Sequence, residues 1–335
     1  MNIIIPMAGM GKRMRPHTLT TAKPLIPIAG KPIVQRLVED IIATSNEKVD
    51  EIAFIIGPSF GKEVEAHLLH VAESLGAKGK ICYQEQPQGT AHAILCAQES
   101  LKGNVFIAFA DTLFKATFSI DTQKDAIVWT QKVADPSAFG VVKLNDNNEI
   151  EAFVEKPKDF VSDLAIIGVY YFKDGENLRK ELQRLIDEDI KLKGEYQITD
   201  AMDHMLKKGV KFYTDQVAEW LDCGNKDATV YTNMRILAIK ADTEQLVSET
   251  AIIENSVIIP PCFIGENVVV QNSVVGPFVS LEEGVQVKDS RINNSIVQSH
   301  SIVKNARIEN SLLGKSVNYN EKPRDLSIGD FSTQI

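Results

Sequence analysis

The chain has no apolar run approaching the roughly 18 residues that a membrane-spanning helix needs, so no transmembrane segment is expected. Its four cysteines, Cys82, Cys96, Cys223 and Cys262, lie far apart with no C-x-x-C spacing. That argues against a disulfide framework or a zinc site and fits thiols kept reduced. Positive charge is in deficit: 36 Lys and Arg against 45 Asp and Glu give a net charge of −9. A nucleic-acid binder usually carries the opposite balance, so no nucleic-acid partner is expected. The chain starts directly in an apolar run with no charged leader ahead of it, which predicts no signal peptide and a cytoplasmic protein. Two common phosphate-binding fingerprints also fail: Gly11-Lys12 is followed by Arg13 rather than Ser or Thr, and Met14 stands where a dinucleotide motif needs its third glycine.

What is present begins with Ile3-Ile4-Ile5, a short buried strand running into Met7-Ala8-Gly9-Met10-Gly11-Lys12-Arg13-Met14-Arg15-Pro16. Glycine lets backbone turn sharply and approach a ligand closely. Lys12, Arg13, Arg15 and, a little later, Lys23 add positive charge in an otherwise acidic chain. Glycine for approach and cations for charge suit a polyphosphate. Taken alone, the stretch reads more readily as a tight turn with surface cations.

Apolar runs at strand length then alternate with segments at helical spacing: helix over 33–44, strand over 51–56, helix over 61–75, strand over 80–83, helix over 91–101, strand over 104–110. Alternation of this kind predicts a doubly wound, mostly parallel α/β sheet, in which ligands bind beyond the carboxyl ends of the strands. The Gly loop, the turn Gln84–Thr90 and Asp111 all fall at such ends. Further on, Asn145-Asp146-Asn147-Asn148 between two short apolar runs signals a hairpin, and Thr199 is placed as a helix cap. At 335 residues two domains are expected. From about Thr250 the helical signal stops, and aliphatic residues recur every five or six positions from Ile252 through Ile258, Ile264, Val270 and Val275 to Leu313. That period predicts a β-helix. The expected division is 1–240 for the α/β domain and 250–335 for the β-helix.

Single residues are ambiguous: an Asp after a strand is more often a cap or turn residue than a metal ligand. Asp111 and Asp222 together, beside a phosphate loop, would suit a divalent ion on a nucleotide. Glu155-Lys156 would clamp a hydroxyl-rich ligand or form a surface ion pair of little consequence. Gln84 offers an amide suited to a pyrimidine edge.

In this order and spacing, Gly9-Met10-Gly11-Lys12-Arg13, Lys23-Pro24-Leu25, Gly30-Lys31-Pro32, Gln84 through Ala93, Asp111, Phe139-Gly140-Val141-Val142, Glu155-Lys156-Pro157, Gly194-Glu195, Ile198-Thr199-Asp200 and Trp220-Leu221-Asp222-Cys223-Gly224 resemble the sugar-1-phosphate nucleotidylyltransferases. The resemblance covers nearly the whole chain and implies a nucleotidyltransferase domain followed by a left-handed β-helix. It implies nucleotide binding by Ala8, Gly9, Gly11, Lys12, Arg13, Gln84, Gly89 and Thr90, with Gln84 and Gly89 reading the base. It implies charge neutralisation by Arg13 and Lys23, sugar-phosphate binding by Gly140, Glu155, Lys156, Gly168 and Glu195, and Mg2+ held by Asp111 and Asp222. The implied reaction joins UTP or dTTP to a hexose 1-phosphate, most simply glucose 1-phosphate, in a homo-oligomer. Lys12, Ala22 and the Ala110-Asp111-Thr112 triplet depart from the family pattern without removing a needed charge. Two other readings are a non-catalytic binder of sugar nucleotides and a bifunctional enzyme with an acyltransferase in the β-helix, for which His300 would be the base.

Overall fold

A computed structural model describes residues 1–335 apart from 10, 46, 116–119, 323, 332, 334 and 335. Met10 of the glycine loop therefore lies outside the described residues. The chain forms two compact units, Met1–Ile26 with Lys31–Asn225, and Pro27–Gly30 with Lys226–Ile335. The helix Lys226–Lys240 thus belongs to the second unit, whereas the expected boundary fell after 240.

The first unit is built on a nine-stranded sheet. Val105–Ala108, Asn2–Pro6, Glu51–Ile56 and Lys78–Tyr83 lie side by side and parallel. The first three of these strands are short apolar runs of the kind a sheet buried on both faces requires, and Ile3, Ile4, Ile5, Phe54 and Phe106 are fully buried. Leu164–Phe172 crosses the sheet antiparallel, pairing with both Val105–Ala108 and Ala126–Lys132. The hairpin Gly140–Leu144 with Ile150–Glu155 forms as the Asn-rich turn predicts, and Asn148 takes the left-handed φ of 59°.

Three local expectations change. The helix expected over 91–101 ends at Leu95 and gives way to a short turn at Gln98–Ser100. Tertiary bonds hold that turn: Ser100 Oγ donates to Glu51 Oε1 at 2.5 Å, and Asn2 Nδ2 donates to the Ser100 carbonyl at 2.9 Å. A strand at Thr112–Lys115, missed in the sequence, follows Asp111 directly. The helix near Thr199 starts two residues earlier than a Thr199 cap implies, at Ile198 with Gln197 at the cap position, and Thr199 caps nothing. The side chain that meets the helix start comes from far away, as Thr90 Oγ1 accepts the Ile198 N–H at 3.0 Å.

The second unit is a left-handed parallel β-helix with three flat sheets of five, four and four strands. Ile252 stands beside Val269, Gln286, Ile302 and Asn318 in turn, so each coil takes 16 or 17 residues. Most of the periodic aliphatics line the interior, with Ile264, Val270, Val275, Leu281, Ile292 and Val297 fully buried. Ile252 and Ile302 do not; they sit one residue off the inward column, which runs through Val270, Val287 and Val303. Strands alternate faces with a period of two, so a one-residue offset turns a side chain outward. At one corner Ser256, Ser273 and Ser290 staple the coils, each hydroxyl accepting a backbone N–H from the next coil at 3.0–3.1 Å. A third face packs on the helix Lys226–Lys240, where Asn233 Oδ1 accepts from the Ala29 N–H at 2.9 Å and from Ser280 Oγ at 2.7 Å.

Candidate active site

The parallel strands of the first unit all end on one side, and their loops build the site there. The turn after Asn2–Pro6 is shaped by Gly11, whose φ of 55° starts a helical turn over Lys12–Met14. A Cβ on Gly11 would lie 3.0 Å from both Lys23 Cβ and Thr18 Cγ2, so any other residue would push these neighbours aside as well as strain the backbone. Thr18 Oγ1 fixes it by donating to the Gly11 carbonyl at 2.8 Å. Gly89, with φ of 111°, lies against the backbone of Tyr196; a Cβ there would sit 2.4 Å from the Tyr196 carbonyl oxygen. The chain segments before and after Gly89 are tied to the same residue, with the Tyr196 N–H donating to the Gln88 carbonyl at 2.9 Å and the Ala91 N–H to the Tyr196 carbonyl at 3.0 Å.

These loops enclose a cavity of about 410 Å³ bordered by Ala8, Gly9, Gly11, Lys12, Gln84 and Gly89, with Glu195 also on its wall. A second cavity of about 330 Å³ is bordered by Gly140, Glu155, Lys156, Gly168, Trp220 and Asp222. Arg13, Thr90, Phe109 and Asp111 border both. The structure thus brings every residue that the resemblance assigns to the nucleotide, sugar-phosphate and metal sites to one of two adjoining cavities. Glu195 is the one that changes sides: it borders the first cavity, with the loop residues, and not the second, where the sugar-phosphate group of residues lies.

The junction carries the charge. Lys23 is buried and donates to Asp111 Oδ2 at 2.9 Å. A buried ammonium without such a partner would be costly. Asp222 reaches the same place because Glu219–Asp222 pairs antiparallel with the unforeseen strand Thr112–Lys115, setting Asp222 beside Thr112. The Cys223 N–H seals the join by donating to the Asp111 carbonyl at 3.0 Å. Burial pushes the Asp222 carboxyl above its ordinary value, with the Asp111 charge adding to the rise and the Gly224 N–H, Lys23 and Arg13 opposing it. A Cβ on Gly224 would lie 2.7 Å from Asp222 Oδ2 and 3.2 Å from Arg13 Nη2, so carboxylate and guanidinium converge on this glycine.

In the second cavity Lys156 holds a strained left-handed φ of 46°, its N–H donating to the Phe139 carbonyl at 3.1 Å. Its ammonium is half exposed and 3.7 Å from Glu155 Oε1. Thr199 Oγ1 donates to the other Glu155 oxygen at 3.4 Å. Gly140 leaves room for that carboxylate, since a Cβ there would sit 2.9 Å from Glu155 Oε2. Gly168 lies where the pairing of Leu164–Phe172 slips register, and its carbonyl accepts the Phe109 N–H at 3.0 Å. Sequence reasoning missed Phe109 and Gly224; the signal for each was its place beside a site carboxylate, in Phe109-Ala110-Asp111 and Asp222-Cys223-Gly224. His300 lines none of these cavities; it sits exposed at a β-helix corner, its ring against Gly284.

An α/β unit with a cationic glycine loop, two carboxylates at its edge and a β-helix behind it in sequence defines a nucleotidyltransferase architecture. Residues 2–238 match the nucleotidyl transferase family model, and the chain belongs to that family. It is 30% identical over 359 residues to the glucose-1-phosphate thymidylyltransferase of Streptomyces griseus, covering 99% of this chain and 98% of that one. It is 32% identical over 265 residues to the bifunctional protein GlmU of Methanocaldococcus jannaschii, covering 77% of this chain and 60% of that longer protein. The fold also matches a solved UDP-glucose pyrophosphorylase in complex with UDP-glucose, with a TM-score of 0.59 at 24% identity over 71% of this chain and 98% of that one.

Proposed function

We propose that this chain is a sugar-1-phosphate nucleotidylyltransferase that joins UTP or dTTP to a hexose 1-phosphate, most simply glucose 1-phosphate. The observation that carries the reading is the junction: a loop-lined cavity and a second, Lys156-bearing cavity meet at Arg13 and Asp111. A triphosphate in the first would present its α-phosphorus there, and a sugar phosphate in the second would present its nucleophilic oxygen. The attacking oxygen forms a new P–O bond, the bond between the α- and β-phosphates breaks, and pyrophosphate leaves with the electron pair. No side chain need act as nucleophile or proton carrier. Lys23 and Arg13 offset charge at the α-phosphate, Lys156 holds the sugar phosphate, and Glu155 accepts from sugar hydroxyls. Positioning and charge neutralisation then supply the rate.

Among the described residues no group of three His, Cys, Asp or Glu side chains stands ready to hold a metal. Two carboxylates, with the Asp111 charge opposing ionisation of Asp222, fit an oxygen-seeking divalent ion whose remaining ligands are phosphate oxygens and water. Asp111 and Asp222 would hold Mg2+, which would draw charge from the phosphates as the displacement proceeds. The raised carboxyl of Asp222 makes the proton a competitor, so metal affinity falls as the solution turns acid.

The thymidylyltransferase relative matched along nearly all of this chain supports the same assignment. The test is pyrophosphate release across a panel of nucleoside triphosphates and sugar 1-phosphates, with and without Mg2+. Release only when a pyrimidine triphosphate, a hexose 1-phosphate and the ion are all present is the expected result. Silence across the whole panel would leave the non-catalytic reading in its place.

A further inference from the structure

Gln84 is 7% exposed and borders the loop-lined cavity. Its backbone is fixed, the N–H donating to the Ile56 carbonyl at 2.9 Å. One end of its side-chain amide lies 3.4 Å from the Gly89 carbonyl and 3.1 Å from His92 Nδ1. A carbonyl oxygen can only accept, so the atom facing Gly89 must be the amide nitrogen. That nitrogen brings two hydrogens, one for the Gly89 carbonyl and one for His92. His92 Nδ1 must then be the acceptor, which makes the ring neutral with its proton on Nε2. Burial lowers the His92 pKa and so favours the same neutral form.

With both hydrogens spent inward, Gln84 has only Oε1 left, and that oxygen accepts from no described residue. Were His92 an apolar residue, the amide would keep only the long 3.4 Å contact to the Gly89 carbonyl, and its second hydrogen would be free to turn toward a ligand. We propose that His92 is a positioning residue that locks the Gln84 amide, so that the base facing it must bring an N–H. Uracil and thymine carry that hydrogen on N3. Cytosine in the same place sets the N3 lone pair against the Oε1 lone pairs. Gly89 cannot yield to relieve the clash, because its backbone is pressed on Tyr196. The lock thus admits UTP and dTTP and refuses CTP. It acts through Gln84 and touches neither the phosphates nor the sugar.

The lock rests on the nucleotide site proposed above, and its test separates the two. Turnover with UTP, dTTP and CTP is compared in the wild type, His92→Leu and His92→Asn. Leucine fills similar space without an acceptor, while asparagine can restore one near Nδ1. The wild type favours UTP or dTTP over CTP. His92→Leu lowers that preference by about tenfold or more, the effect of one mismatched buried polar contact, and His92→Asn recovers most of it. A purely structural role for His92 would lower all three rates together and leave their ratio unchanged, which would overturn the lock. Equilibrium binding of UDP and CDP to the same proteins reads the selection without turnover. Selection of UDP that weakens in His92→Leu, in a chain that releases no pyrophosphate, would overturn the transfer reading and keep the lock. Equal binding of UDP and CDP by the wild type would overturn the lock, whatever the turnover.

Discussion

In the first unit, three glycines with left-handed φ stand at irregular places beside a cavity: Gly11 and Gly89 in loops, and Gly168 where a strand slips register. In the second unit asparagine is the residue that most often takes the same region of φ, at Asn255, Asn267, Asn272, Asn294, Asn305 and Asn310, as the chain turns its corners. Asparagine tolerates this conformation, and its amide can bond to the next coil. Asn255 Nδ2 donates to Asn272 Oδ1 at 2.9 Å, and Asn294 Nδ2 donates to Asn310 Oδ1 at 2.6 Å. At Gly89 a neighbouring backbone takes the space of a Cβ, whereas the corner asparagines hold the turn through their own amides. The first unit therefore concentrates its chemistry in few irreplaceable positions, and the second spreads its stability over many similar ones.

Substitutions sharpen this contrast. The largest effect falls at the junction of the two cavities: Asp111→Asn lowers kcat by about a thousandfold, the scale of losing a preorganised charge contact, as read by pyrophosphate release. Lys156→Ala follows; because its side chain is half exposed, it should lower turnover severely and leave the melting temperature within about a degree or two. A normal rate in either variant would break the assignment at that residue.

Next in size is a stability effect inside the first unit. Glu181 is buried and accepts from Lys208 Nζ at 2.7 Å, His204 Nδ1 at 2.5 Å and Arg184 Nε at 3.1 Å. Burial alone would raise its pKa, but these three donors together pull it down to about 2. A depressed carboxylate contributes stability above its unfolded value of about 4.3, and that contribution is lost as pH falls toward the folded value. Glu181→Gln should cost about 3 kcal/mol at neutral pH. Denaturant melts should show the gap to wild type closing between about pH 4.3 and pH 2. A gap independent of pH would mean that packing, not the charge, is what Glu181 supplies.

Within the β-helix, Val287→Ala removes buried volume from one coil and should cost about 2 kcal/mol. Turnover at room temperature should change less than twofold. Asn272→Ala is smaller still, about 1 kcal/mol for an alanine forced into the left-handed region, and Asn272→Gly should recover most of it. A β-helix variant that lost turnover while keeping its melting temperature would break the contrast between the units.

The sequence made these units unequally legible. The β-helix announces itself because one local rule repeats, so its period could be read from residue spacing alone. Its inward register was harder: Ile252 and Ile302 are as aliphatic as their neighbours, and only pairing with adjacent coils shows that they point outward. In the first unit each motif was visible, but the reason Asp222 meets Asp111 was not. It depends on Thr112–Lys115 pairing with Glu219–Asp222 across more than a hundred residues, and the short run after Asp111 gives no local sign of that partner. The early end of the helix at Leu95 is similar, since Glu51 and Asn2, distant in sequence, hold the turn at Ser100. Local propensity found the elements; long-range pairing decided where they stop and which charges meet.

The central claim is that two adjoining cavities position a single displacement at the α-phosphorus with no covalent enzyme intermediate. The configuration at that phosphorus tests it most directly, using a triphosphate made chiral by sulfur at the α-position and glucose 1-phosphate as acceptor. One in-line displacement gives a sugar nucleotide with inverted configuration. Retention would reveal two successive displacements through a nucleotidyl-enzyme and would contradict this account of the site.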